Sequence, residues 1–86
     1  MPGICRDNDT AGGDLIPSQT TVYANGEEVI VDGDSVADHG PGLHAGPTME
    51  AGSNSVYIGG IAVCNAEDTA TCGHAATGSS DVFVGD

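Results

Sequence analysis

All three histidines of this chain, and one of its three cysteines, fall in two short stretches, His39-x4-His44 and Cys72-x-His74. Imidazole nitrogens and a thiolate are ligands that Zn2+ prefers, and four of them close a tetrahedral structural site. The His-x4-His gap is ordinary for zinc; Cys-x-His is tighter, but alternate residues on a turning loop can chelate one ion. His39, His44, Cys72 and His74 are therefore assigned as ligands of one structural Zn2+. The competing account scatters three surface histidines and a buried thiol by chance. A rival of another class is a small zinc or thiol enzyme, with Cys72 as nucleophile and His74 as its base. Residues at i and i+2 are expected to point apart, and no oxyanion motif, nucleophile elbow or phosphate loop accompanies them. With all four ligands supplied by protein, the expectation is no catalysis.

The two stretches occupy equivalent places in a repeat. A polar-Val-aromatic strand closed by a turn recurs as Thr21-Val22-Tyr23-Ala24-Asn25-Gly26, Ser55-Val56-Tyr57-Ile58-Gly59-Gly60 and Asp81-Val82-Phe83-Val84-Gly85-Asp86. An aspartate precedes each copy: Asp9, Asp34 and Asp68. The link from turn to next aspartate is the same in Gly26 to Asp34 and in Gly60 to Asp68, while the loops vary. A fixed link with variable loops marks one structural unit repeated. The longest loop carries His39 and His44, and the corresponding loop of the third copy carries Cys72 and His74.

Helix is almost absent from the pattern, since Gly, Pro and Asp interrupt every window. Strands are expected at 20–24, 28–32, 54–58, 61–64 and 80–84. Asn25-Gly26 and Gly59-Gly60 are two-residue hairpin turns. Segments 9–19, 35–53 and 69–79 read as loops. The third copy ends after its first strand, and residues 3–7 are expected to supply the returning strand. Three such units can close around a pseudo-threefold axis.

At 86 residues the chain is a single domain, 1–86, with fourteen glycines, no Trp and only Tyr23, Tyr57 and Phe83 as aromatics. A chain of this size buries only about 60% of its unfolded surface, so a staple is expected. One basic residue, Arg6, stands against thirteen acids, for a net charge of −12. That excludes nucleic acid, whose phosphates need clustered Lys and Arg. It suits a salty environment or a basic partner surface. No signal peptide is visible, and the apolar run Ile61-Ala62-Val63-Cys64 is too short to span a bilayer. Cys64 reads as a small buried hydrophobe, and Cys5 carries no signal. Asp7 to Asp14 begins like a calcium loop, but Ala11 stands where an oxygen ligand is needed and Ser18 where a Glu should chelate bidentately. Asp68, Glu50 and Glu67 are read as loop caps.

These features together resemble the PAAR-repeat proteins, the spike-tip modules of contractile injection systems. The residues that carry the resemblance are Gly52-Ser53-Asn54-Ser55-Val56-Tyr57-Ile58-Gly59-Gly60 and its fainter copy from Ser18 to Gly26. Gly33-Asp34, His39-Gly40, Cys72-Gly73-His74 and the ending from Ala76 to Gly85 add to it, so that it covers essentially the whole chain. The Pro-Ala-Ala-Arg motif itself is degenerate, replaced by Glu28-Val29-Ile30-Val31 and Ile61-Ala62-Val63-Cys64, and any salt bridge made by its Arg is in doubt. The resemblance implies an all-β cone of short hairpins, stapled near its vertex by zinc on His39, His44, Cys72 and His74. It also implies a function: a membrane-piercing tip, one monomer capping a trimeric β-helical spike. A phage tail baseplate, and hence a virion location, is expected over the spike of a bacterial type VI secretion system. The acidity and the lack of an effector extension tilt the expectation that way.

Overall fold

The computed structural model describes residues 3–52, 56–80 and 82–83. Among them the chain is nearly all strand and turn. It contains β1 (Leu15–Ile16), β2 (Tyr23–Ala24), β3 (Glu27–Glu28), β4 (Ser35–Val36), β5 (Tyr57–Ile58) and β6 (Ile61–Ala62), with one 3-10 turn, Gly42–His44. The fold is all-β. Parts of the expected strands 54–58 and 80–84, and Ser53, Asn54, Ser55, Asp81, Val84 and Gly85 of the resembling motifs, lie outside the described residues.

Both hairpins form where the turn residues place them. β2 pairs antiparallel with β3, Tyr23 opposite Glu28, and β5 with β6, Tyr57 opposite Ala62. Their turns need positive φ at both central residues, and Asn25 (53°), Gly26 (83°), Gly59 (58°) and Gly60 (84°) supply it. The N-terminal segment does return against the third copy: Gly3 bridges Phe83, and the Ile4 amide donates to the Val82 carbonyl at 2.9 Å. The expected loops 9–19 and 35–53 need correction, because they contain β1 and β4, paired antiparallel with Leu15 opposite Val36. Two-residue strands show no alternation, so periodicity could not reveal them.

Segments 3–9, 28–34 and 62–68 make the same hydrogen bonds. The amides of Ile4, Val29 and Val63 donate to the carbonyls of Val82, Val22 and Val56. One residue on, the amide of Cys5 donates to Cys64 (3.0 Å), that of Cys64 to Ile30 (2.9 Å) and that of Ile30 to Cys5 (3.0 Å), closing a ring. All three ring residues are 0% exposed. Backbone polar groups this deep must find partners, and here each copy provides the next one's acceptor.

The three aspartates then turn the chain alike. The amides of Asp9, Asp34 and Asp68 donate to the carbonyls of Arg6, Val31 and Asn65. Each carboxylate in return accepts that same residue's amide, at 2.9 Å in all three turns. Asp68 thus caps its turn as the sequence suggested, and Asp9 and Asp34 do the same.

The core is layered. Ala24, Val29, Val31, Val63 and Ile4 form a cluster against the hairpins, with Ile58 and Val82 packed on it. Leu15, Ile30, Val36, Met49, Cys5, Cys64, Ala11, Ala70 and Ala76 form the next, with Cys72 packed against it. Burying a side chain such as Ile30 contributes roughly 1.5–3 kcal/mol. Cys64 is the buried hydrophobe expected, and Cys5 is its counterpart. Hairpins and ligand-bearing loops therefore rest on different layers.

Candidate metal centre

Beyond each aspartate the chain pairs and then loops out. Thr10 bridges Asp14, Ser35 bridges Thr48 and Thr69 bridges Ala75, which leaves loops 11–13, 36–47 and 70–74. The loops are laced together: the Ala37 amide donates to the Asp14 carbonyl, and the Thr71 amide to the Thr48 carbonyl, both at 2.8 Å. Every candidate ligand sits in the second or third of these loops.

Loop 36–47 folds back on itself to aim two rings inward. The His39 amide donates to the His44 carbonyl at 3.0 Å, while the 3-10 turn is held by the Ala45 amide on the Gly42 carbonyl. The Asp38 carboxylate accepts the Gly46 amide at 2.5 Å, and the Val36 amide reaches the Pro47 carbonyl at 2.9 Å. In loop 70–74, Gly73 takes φ 90° and its amide donates to Ala70.

That glycine overturns one expectation. Cys72 and His74, at i and i+2, do face each other, with Sγ 3.4 Å from Nδ1. The left-handed turn at Gly73 swings the two side chains to the same side, which an L residue would resist.

The structure brings all four sequence-derived ligands together, with their donor atoms within 4.8 Å of one another. Nε2 of His39 is 3.0 Å from Nδ1 of His74, 3.2 Å from Nδ1 of His44 and 3.6 Å from Sγ of Cys72. The three ring centroids are 4.9–5.0 Å apart. Tetrahedral zinc, at 2.0–2.1 Å from nitrogen and 2.3 Å from sulfur, has edges of about 3.3 Å (N–N) and about 3.5 Å (N–S). The four separations given match edges of that tetrahedron, and all four donor atoms converge within 4.8 Å, so the residues fit a metal ion. A Cys–His nucleophile pair would not need two further imidazoles facing the same point.

The outer contacts also suit ligation. His39 places Nδ1 2.9 Å from the Ala37 carbonyl. With Nδ1 donating there, Nε2 is left bare toward the cluster, as a metal-binding imidazole requires.

Loop 11–13 gives no ligand, yet it abuts the cluster. A Cβ on Gly12 would lie 2.6 Å from His39 Nε2 and 2.8 Å from His74 Cε1; one on Gly13 would lie 2.9 Å from His39 Nδ1. In the sequence these glycines fall in the stretch that begins like a calcium loop, and nothing there assigns them to the His/Cys cluster. Aligning Thr10 with Ser35 and Thr69 would have placed Gly12-Gly13 beside the ligand loops.

Elsewhere, the aspartates and the two core thiols are committed to the fold. The Asp9 carboxylate takes hydrogen bonds from Arg6 (2.9 Å) and Thr77 (2.9 Å), which leaves it no role in a calcium loop. Burial would raise its pKa, but these bonds and the Arg6 charge outweigh that and hold it below the usual carboxylate range. Burial pushes the Cys64 thiol up to about 12, helped by Asp68, Asp32 and Asp34. Cys5 is raised still further, by burial first and then by Cys64, Asp9 and Asp68. Neither is a ready thiolate. Among the described residues no helix is long and apolar enough to cross a membrane. Compared with known protein families and with characterised proteins, the chain matches none.

Proposed function

We propose that this chain is a structural spike tip of the PAAR-repeat kind: a small cone whose converging loops are stapled by one zinc. It caps the blunt end of a trimeric β-helical spike. The observation that carries the proposal is the threefold recurrence of backbone hydrogen bonds, above all the ring of Cys5, Cys64 and Ile30. One chain that repeats its backbone three times can meet three identical chains at once without being a trimer. Zinc is the metal that three imidazoles and a thiolate at these separations suit best.

The hairpin end supplies a surface for such a partner. Tyr23, Tyr57 and Phe83 occupy corresponding positions in the three copies and are 53%, 51% and 49% exposed, with Val22, Val56 and Ile61 beside them. An apolar patch of this kind marks a binding face. A trimeric β-helix ends in open strand edges and an apolar cross-section, which aggregate unless covered. Binding by shape and apolar contact makes the complex insensitive to salt. The ligand loops, on the other layer, then lead into the target envelope, and the protein piercing it does no chemistry.

A contractile phage tail, with the protein in the virion, is the setting proposed; a type VI secretion spike uses the same cap. Mixing the protein with a fragment of its own trimeric spike and measuring the complex mass tests the function. One copy per three spike chains is expected. Three per three, or no complex, would remove the tip reading. A small zinc or thiol enzyme would instead show metal-dependent turnover abolished by His74→Ala in folded protein.

A further inference from the structure

Gly12 belongs to the one loop of the three that donates no ligand, yet it abuts the ligand cluster. A side-chain carbon there would meet Nδ1 and Cε1 of His74 and Nε2 of His39, and two of these atoms are the ligand nitrogens themselves. The atoms met belong to the two ligand rings, so room for that carbon comes only from the rings leaving the cluster. His39 is held at Nδ1 by the Ala37 carbonyl, whereas the exposed His74 ring touches the other ligands, its backbone carbonyl accepting the Ala70 amide. The loop could not step aside either. The Ala11 amide donates to the Gly13 carbonyl at 3.0 Å, Ala11 is 0% exposed in the core, and the Ala37 amide is bonded to Asp14.

We infer that Gly12 is a positioning residue for the metal, and that it acts by the space it leaves. This rests on the metal reading above. All three copies then build the site: the second gives His39 and His44, the third Cys72 and His74, and the first a floor flat enough for the rings to meet. A methyl group at Gly12 pushes His39 and His74 off the tetrahedron and removes two nitrogens from the ion together.

Gly12 has φ 86°, so any substitution also strains the backbone. Gly33 separates the two effects. Its φ is likewise 86°, and a Cβ there meets nothing within 4 Å. The experiment measures zinc affinity of wild type, Gly12→Ala and Gly33→Ala by competition with a chromophoric chelator. Gly12→Ala should bind zinc at least tenfold more weakly than Gly33→Ala, which stays near wild type. A difference below tenfold would overturn the role of Gly12. Should Gly12→Ala unfold, all three proteins are compared again in trimethylamine N-oxide, which favours the compact state. A refolded Gly12→Ala within tenfold of Gly33→Ala overturns the inference just the same. If the wild type itself takes up no zinc, the metal reading falls first and Gly12 with it, a result visible in the wild-type arm alone.

Discussion

Sγ of Cys72 stands 3.6 Å from Nε2 of His39, although they lie 33 positions apart in sequence and no strand ladder joins their loop tips. A metal ion held at that junction would tie together the tips of two loops that backbone hydrogen bonds join only at Thr48 and Thr71 and below. With so thin a core, its binding free energy is folding free energy. Chelation should therefore unfold or loosen the whole domain. His44→Ala should lower the melting temperature far more than Leu43→Ala, one residue away on the same turn and 70% exposed. Thermal melts of both variants with and without chelator check this; equal effects would contradict it.

The thiols should divide by environment. Cys5 and Cys64 are buried with raised pKa values, so both should resist iodoacetamide in folded protein. Cys72, shielded while it ligates metal, should be the first to react once a chelator is added. Mass spectrometry of peptides over time reads the order, and early adducts on Cys64 in folded protein would contradict it.

Asp9 should make stability depend on acid. Its carboxyl titrates below the ordinary value in the folded state, so the stabilisation is complete above the unfolded value, about 4, and is lost as pH falls through the folded one. Asp9→Asn should cost about 1.5–3 kcal/mol at neutral pH, the range for hydrogen bonds to a charged group. The gap from wild type should close as pH drops below about 4. Urea titrations at several pH values measure it; a gap that widens in acid has the wrong sign.

The half-exposed aromatics of the hairpins should serve the partner and not the fold. Tyr57→Ser should leave metal content and melting temperature near wild type while weakening spike binding at least tenfold. Loss of stability with unchanged binding would place Tyr57 in the fold instead.

What could be read from the sequence was what chemistry and turn geometry write locally. Asn25-Gly26 and Gly59-Gly60 need positive φ, and that need shows in their residue types. His39, His44, Cys72 and His74 are ligands by type, and the repeat brought their loops into register. The pairing of Leu15 with Val36 was invisible because two residues cannot display a period. The approach of Cys72 to His74 was misjudged because it depends on a left-handed turn at Gly73, which sequence spacing ignores. Gly12 read only as a turn glycine of a calcium-like loop, because the role inferred for it works through a missing atom, and fourteen glycines look alike until neighbours are known.

The most direct test of the account is the metal's own coordination shell. X-ray absorption on the purified protein, together with native mass spectrometry, should find one zinc per chain. Its shell should hold three nitrogens at about 2.0–2.1 Å and one sulfur at about 2.3 Å, with no open position. A folded protein with no metal, or a zinc whose shell lacks sulfur or includes water, would contradict it.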